Sequence, residues 1–189
     1  MDGEETPVTI TSDFDIGGKK LGEEIVKYCH KLKKNPNLAV VDNTRNTPAG
    51  TRLKALTDVL RANEITVNNY INVSSFSREA KHIVDAAVKL YKANKLDIIF
   101  CGNDKTAFYL MKKFKTSESQ LRNDLLFVGY DGVKFEDSYI LDCYGYKYLT
   151  IDVKPQKQGE KAFDAILEKN KSKEEPKREV PSELVKSYD

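Results

Sequence analysis

Two apolar runs, Asp97-Ile-Ile-Phe-Cys-Gly-Asn-Asp104 and Leu125-Leu-Phe-Val-Gly-Tyr-Asp-Gly132, limit the folds open to this chain. Each stops at a glycine followed by hydrogen-bonding residues, and each leads into a helix-like stretch. Strands of a parallel sheet covered on both faces read as continuous apolar runs, so the pair predicts buried parallel strands that deliver polar groups to one rim. Open α/β sheets bind ligands outside the carboxyl ends of such strands, which places function at that rim.

The rest of the chain alternates extended and amphipathic segments. A short strand is predicted at Val8 to Ile10, then a helix over Gly17 to Lys34 with Leu21, Ile25, Val26, Cys29 and Leu32 on one stripe. Asn37 to Asp42 reads as a strand, Pro48 opens a helix with Leu53, Leu56, Val59 and Leu60 inward, and Ile65 to Val73 alternates like a strand. Ser77 is the expected N-cap of a helix carrying Ile83, Val84, Ala87, Val88 and Tyr91. Asp104 is expected to cap the next helix, and a short helix is read around Phe135 to Ile140. Tyr146 to Val153 is extended, Pro155 opens a helix bearing Ala162, Phe163, Ile166 and Leu167, and a last strand lies near Val180 to Val185. Strands alternating with helices of this length give βαβ units and a mainly parallel sheet.

Length and composition narrow the function. At 189 residues the chain can bury a substantial core. Charged residues make up 32%, yet the net charge is only +2 and acid and base are interspersed, so no nucleic-acid partner is expected. No stretch approaches the roughly 20 apolar residues of a membrane span, and Met-Asp-Gly-Glu-Glu-Thr-Pro has neither the basic nor the apolar region of a signal peptide, so no direct membrane insertion is expected. Cys29, Cys101 and Cys143 are scattered, with only His30 and His82 beside them, which supports neither metal site, disulfide framework nor Cys/His nucleophile. Cys101, inside an apolar run, reads as core.

Chemistry-bearing residues gather at strand ends: Asp42 and Asn43 with Arg52 just beyond, Phe76, Asn103 with Asp104, and Tyr130 with Asp131. As a set they suit a polyol. Amide and carboxylate engage neighbouring hydroxyls, arginine adds a rigid fork of donors, and the rings of Phe76 and Tyr130 can cover the C–H faces of a sugar. Each residue also has a plainer reading: Asp104 as helix cap, Asp131 as part of an Asp-Gly turn, Arg52 as a surface ion pair.

The order of these features resembles the type I periplasmic binding proteins, especially the ribose and galactose binders, and the related ligand-binding cores of lactose-type repressors. The matching phrases are Ser12-Asp13-Phe14-Asp15-Ile16-Gly17-Gly18 with Gly22, Thr47-Pro-Ala-Gly-Thr-Arg52 with Leu56, Phe76-Ser-Arg-Glu-Ala80, Ile98-Ile-Phe-Cys-Gly-Asn103-Asp104-Lys-Thr-Ala107, Val128-Gly-Tyr-Asp-Gly132, and Leu149-Thr-Ile-Asp-Val-Lys-Pro155 with Gly159. The resemblance implies a three-layer α/β/α sandwich with a mainly parallel sheet, like one lobe of such a protein. It implies an N-terminal extension over residues 1–11, a C-terminal lobe over 12–147 and 179–189, and, over 148–178, a return segment of an otherwise missing N-terminal lobe. By position it assigns ligand contacts to Arg52, Phe76, Asn103 and Asp131, with Ser12 at the first crossing between lobes. Where sugar binders place an amide at the third crossing, this chain has Val153 beside Asp152.

The function implied is non-enzymatic binding of a small polar ligand, most readily a monosaccharide, for ABC-type uptake, with no cofactor and a membrane permease or sensor kinase as partner. A periplasmic or extracellular setting follows from the same resemblance. The alternatives are the sensing ectodomain of a histidine kinase or chemoreceptor, and the effector core of a repressor. An enzyme using Asp104 and Asp131 as acid and base would need a raised pKa on one of them. A single lobe would leave the helix from Pro155 without its sheet, so either repacking of that helix against the lobe or self-association is expected.

Overall fold

Helix α1 (Phe14–Leu32) begins where Asp13 turns the chain: its carboxylate accepts the Ile16 N–H at 2.8 Å and its carbonyl accepts the Gly17 N–H at 3.0 Å. This is a carboxylate N-cap, favourable at the positive end of a helix. In the computed structural model, residues 10–32, 35–42, 48–72, 76–117, 125–133, 146–169 and 179–187 are described; for 42, 48, 72, 76–80, 117, 168–169 and 179 this extends to the backbone alone.

β2 (Leu38–Asp42), α2 (Pro48–Ala62), β3 (Val67–Asn72), α3 (Phe76–Lys92), β4 (Ile98–Phe100), α4 (Asp104–Ser117) and β5 (Leu126–Val128) then alternate as the periodicity predicts. β6 (Lys147–Asp152) and β8 (Glu183–Lys186) complete a six-stranded sheet in the order β3-β2-β4-β5-β6-β8, parallel except for the antiparallel β6–β8 pair. α5 (Pro155–Lys169) lies between β6 and the two-residue β7 (Glu179–Val180), which pairs in parallel with β1 (Thr11–Ser12) outside the main sheet.

Alternation along the strands sorts side chains into two cores. Leu38, Val40, Ile98, Phe100, Leu126 and Val128 face Leu21, Ile25, Leu56 and Leu60 of α1 and α2. Ala39, Val41, Ile99, Cys101 and Phe127 face Ile83, Ala87, Met111 and Phe114 of α3 and α4. These two apolar layers make the three-layer α/β/α sandwich, and Cys101 is core as expected. Helices α1 and α2 approach closely through Gly18 and Gly22. A methyl on Gly18 would overlap the Arg52 carbonyl and Ala55, and one on Gly22 would overlap Val59.

Several expectations need correction. The return segment does not leave the lobe at residue 148: β6 pairs with β5 through Leu126↔Lys147, Phe127↔Tyr148 and Val128↔Leu149, because Leu149 and Ile151 fill the α1/α2 core while Tyr148 fills the other. Thr11, assigned to an N-terminal extension, pairs with Glu179, and the first described strand is Thr11–Ser12 rather than Val8 to Ile10. The single last strand is split at Pro181 and Ser182 into β7 and β8, as a residue without an N–H would do. Helix α3 starts at Phe76, ahead of Ser77. The helix read around Phe135 to Ile140, and Cys143, lie outside the described residues. Among the described residues no helix is long and apolar enough to cross a membrane.

Candidate functional site

Arg52 stands near the start of α2, and its guanidinium lies against two mutually tilted aromatic rings, 4.5 Å from the Phe14 ring centroid and 3.9 Å from that of Tyr130. Nη1 donates to the Gly102 carbonyl at 3.4 Å and lies 3.6 Å from Asp131 Oδ1. The Arg52 side chain is 12% exposed and its Nε is buried with no hydrogen-bond partner among the described residues. The two rings hold the guanidinium by cation–π contact, and Asp131 opposes the burial that works against its charge.

Asp131 sits on a strained backbone with φ at 132°, a region that residues with a side chain seldom occupy. Its N–H donates to the Ile151 carbonyl at 3.0 Å, it bridges Asp152 of β6, and Gly132 follows at φ 75°, where a methyl would also overlap Asp152. Its side chain is 41% exposed while its Oδ1 stands beside the buried guanidinium. Burial pushes its pKa up to about 6, with Arg52 pulling the other way.

Asn103 caps α4. Its Oδ1 accepts the Thr106 N–H at 2.8 Å, leaving the amide nitrogen unused by the cap on a half-buried side chain next to Gly102. This cap had been expected of Asp104. That residue is instead fully buried: Oδ1 accepts the Thr150 hydroxyl at 2.6 Å, Oδ2 accepts the Val133 N–H at 2.7 Å, and its own N–H donates to the Tyr130 carbonyl at 2.9 Å. Its pKa is raised by burial, but its oxygens hold the ends of β5 and β6 together and meet no solvent.

Tyr130 was expected to cover a sugar face. It is 0% exposed, Arg52 occupies its ring face, and its hydroxyl, pushed up to about 12 by burial, is lodged against Gly17 with no hydrogen-bond partner among the described residues. Ser12, 3% exposed, donates to the Val153 carbonyl at 2.8 Å and accepts from Gln158 Nε2 at 2.8 Å, so it fastens the crossing segments to each other. Asp42 ends β2 beside Asn72 and Phe76 begins α3, with backbone alone described for both, and Asn43 lies outside the described residues. The rim thus brings together Arg52, Asn103 and Asp131 with Tyr130 as their floor. Phe14, the second ring against the arginine, was not singled out from the sequence; its signal was an aromatic residue immediately after a capping aspartate.

No protein-family model matches the chain. The HTH-type transcriptional repressor PurR of Vibrio vulnificus is 28% identical over 138 residues, covering 71% of this chain and 39% of that protein, and PurR of Vibrio cholerae is 26% identical over 138 residues. The chain therefore spans about two-fifths of the length of these repressors. Among solved structures, the periplasmic ribose ABC transporter of Conexibacter woesei matches 98% of this chain and 61% of its own, with a TM-score of 0.70 at 16% identity. A periplasmic solute-binding protein from Actinobacillus succinogenes with bound D-allose matches 94% and 60% (TM-score 0.74, 18% identity), and the Lac repressor bound to ONPG matches 97% and 53% (TM-score 0.68, 18% identity).

These relatives overturn the expectation that nucleic acid is no partner. Proteins similar to this chain are transcriptional repressors of the HTH type, and the balanced charge of a ligand-binding segment carries no information about a partner engaged by another part of a protein. With a mainly parallel sheet covered on both faces, a rim at its carboxyl edge and a separate pair of crossing strands, the chain has the fold of a lobe of the type I periplasmic sugar-binding proteins and of the LacI-type repressor cores.

Proposed function

We propose that this chain is part of a ligand-binding core that recognises a small hydroxyl-bearing molecule, a monosaccharide first, without bond chemistry. The observation that carries the reading is the guanidinium of Arg52, held by two rings, beside the part-exposed carboxylate of Asp131 on its strained backbone. A fixed donor fork next to an accepting carboxylate matches vicinal hydroxyls, each of which gives one hydrogen and takes another. The amide nitrogen of Asn103 adds a donor at the same rim. Ligand held here favours whichever arrangement of the surrounding protein completes its contacts, which is how a binding core signals or delivers.

Two settings fit this site. The repressor relatives support an effector core, and the solute-binding neighbours support uptake, in which the protein would work outside the cytoplasm beside a permease or sensor kinase. Amide NMR titration with a panel of pentoses and hexoses tests the shared reading. Shifts should cluster at Arg52, Asn103 and Asp131 and disappear in Arg52→Lys, which keeps the charge and loses the stacked fork. Shifts scattered over the surface, or unchanged by that substitution, would remove the sugar site.

A further inference from the structure

We propose that the groove along the outer side of β3 is a docking site for an extended acidic segment of a partner protein, added to the sheet as a further strand. β3 ends the six-stranded order, so its outer N–H and C=O groups have no strand partner among the described residues. Edge strands are ordinarily guarded by charge, proline or a bulge. Val67–Asn72 contains no charged residue and no proline, and its one irregularity lies at the start, where the register shifts and Asn68 Oδ1 accepts the Leu38 N–H at 3.0 Å. Residues 69–72 continue as a regular edge in register with β2.

Beside this edge lies a groove of about 600 Å³ between β3 and α3. Its apolar lining includes Tyr70, 54% exposed, and Ala86 and Leu90. Its ionisable lining residues, apart from Tyr70, are His82, Lys89 and Lys95, with no carboxylate, and the two lysines form no ion pair among the described residues. An added strand would hydrogen-bond to the outer edge of β3, place alternate side chains against Ala86 and Leu90 of α3 on one face of the sheet and beside Tyr70 on the other, and bring acidic ones to the lysines. A second copy of the chain is the poorer occupant, because its own β3 offers asparagines and tyrosine and no carboxylate to these cations.

The site is independent of the rim, and its test uses the whole 189-residue chain. A capped six-residue peptide alternating valine and glutamate is titrated against the protein, with a valine–lysine peptide as its counterpart, while amide shifts and hydrogen exchange are followed. The glutamate peptide should slow exchange of edge amides in residues 69–72. Lys89→Glu with Lys95→Glu should weaken it about tenfold, as the loss of two surface ion pairs and their replacement by repulsion gives, and should reverse the preference between peptides. Equal binding of both peptides, no binding of either, shifts centred on Arg52, or edge protection that grows with protein concentration alone would each overturn the proposal.

Discussion

Asp131 concentrates the behaviour of the site in one residue. Its carboxyl titrates near 6 in the folded protein and at the ordinary 3.8 in the unfolded chain, so the folded state binds the proton more tightly between these values. Stability contributed by the protonated form is therefore full below about pH 4 and is lost as pH rises through 6. For a side chain 41% exposed, solvent reduces the effect to roughly 1 kcal/mol. Denaturant unfolding of the protein and of Asp131→Asn at pH 4 and pH 7 should show the substituted chain losing about that much less over the interval. Parallel behaviour of the two proteins would mean the carboxyl is not held up by burial. Ligand hydroxyls donate to the ionised form, so sugar affinity should rise across the window in which stability falls. The placing of Asn103 and Asp131 at the rim was legible because each closely follows a strand end, and that of Arg52 because it stands near the start of the helix after β2. The burial of Tyr130 was not legible, because adjacency in sequence cannot show that an arginine from α2 will occupy its ring.

At the level of elements, α1 shows how a local cost holds a site together. Glycine inside a helix costs about 1 kcal/mol relative to alanine, yet α1 carries Gly17, Gly18 and Gly22. Gly17 leaves room for the Tyr130 hydroxyl, so its absent side chain sets the depth of the ring on which Arg52 lies. Gly17→Ala should force the ring outward and lower stability by about 1–3 kcal/mol, as overpacking a tight core does. Gly159→Ala is the paired control: a methyl on this α5 residue meets nothing within 4 Å, so gaining helix propensity should raise stability by about 0.5–1 kcal/mol. Thermal unfolding of the two variants decides it, and a gain at both positions would show that Tyr130 is not seated by Gly17. The order of elements was readable because apolar runs and helical stripes alternate. The membership of β6 was not: Leu149 and Ile151 are equally apolar whichever sheet they join, and only pairing with β5 decides.

Across the whole molecule, the two apolar layers bury most of the described large apolar side chains on α1 through α4, and α5 stands apart. Phe163 is 62% exposed, Ile166 63% and Leu167 44%. Of the two outcomes expected for this helix, repacking against the lobe has not occurred: α5 runs beside β7, and a shallow groove lined by Ile10, Ala162 and Ile166 stays open next to it. The crossing segments that carry it are tied down. Ser12 and Gln158 meet at the Val153 carbonyl, and Lys154 bridges Asp152 and Glu183, so the helix is placed by polar contacts and the buried Ala165 while Phe163, Ile166 and Leu167 meet water. A contiguous apolar face in water binds hydrophobic dyes and lowers solubility. The chain should therefore enhance the fluorescence of a hydrophobic dye in its folded state. Phe163→Lys with Ile166→Lys should remove most of that signal while changing stability by no more than about 0.5 kcal/mol, because neither side chain contributes to the core. Persistence of the dye signal in the double variant would place the exposed apolar surface elsewhere. A large fall in stability would mean instead that α5 buries this face against the lobe in solution.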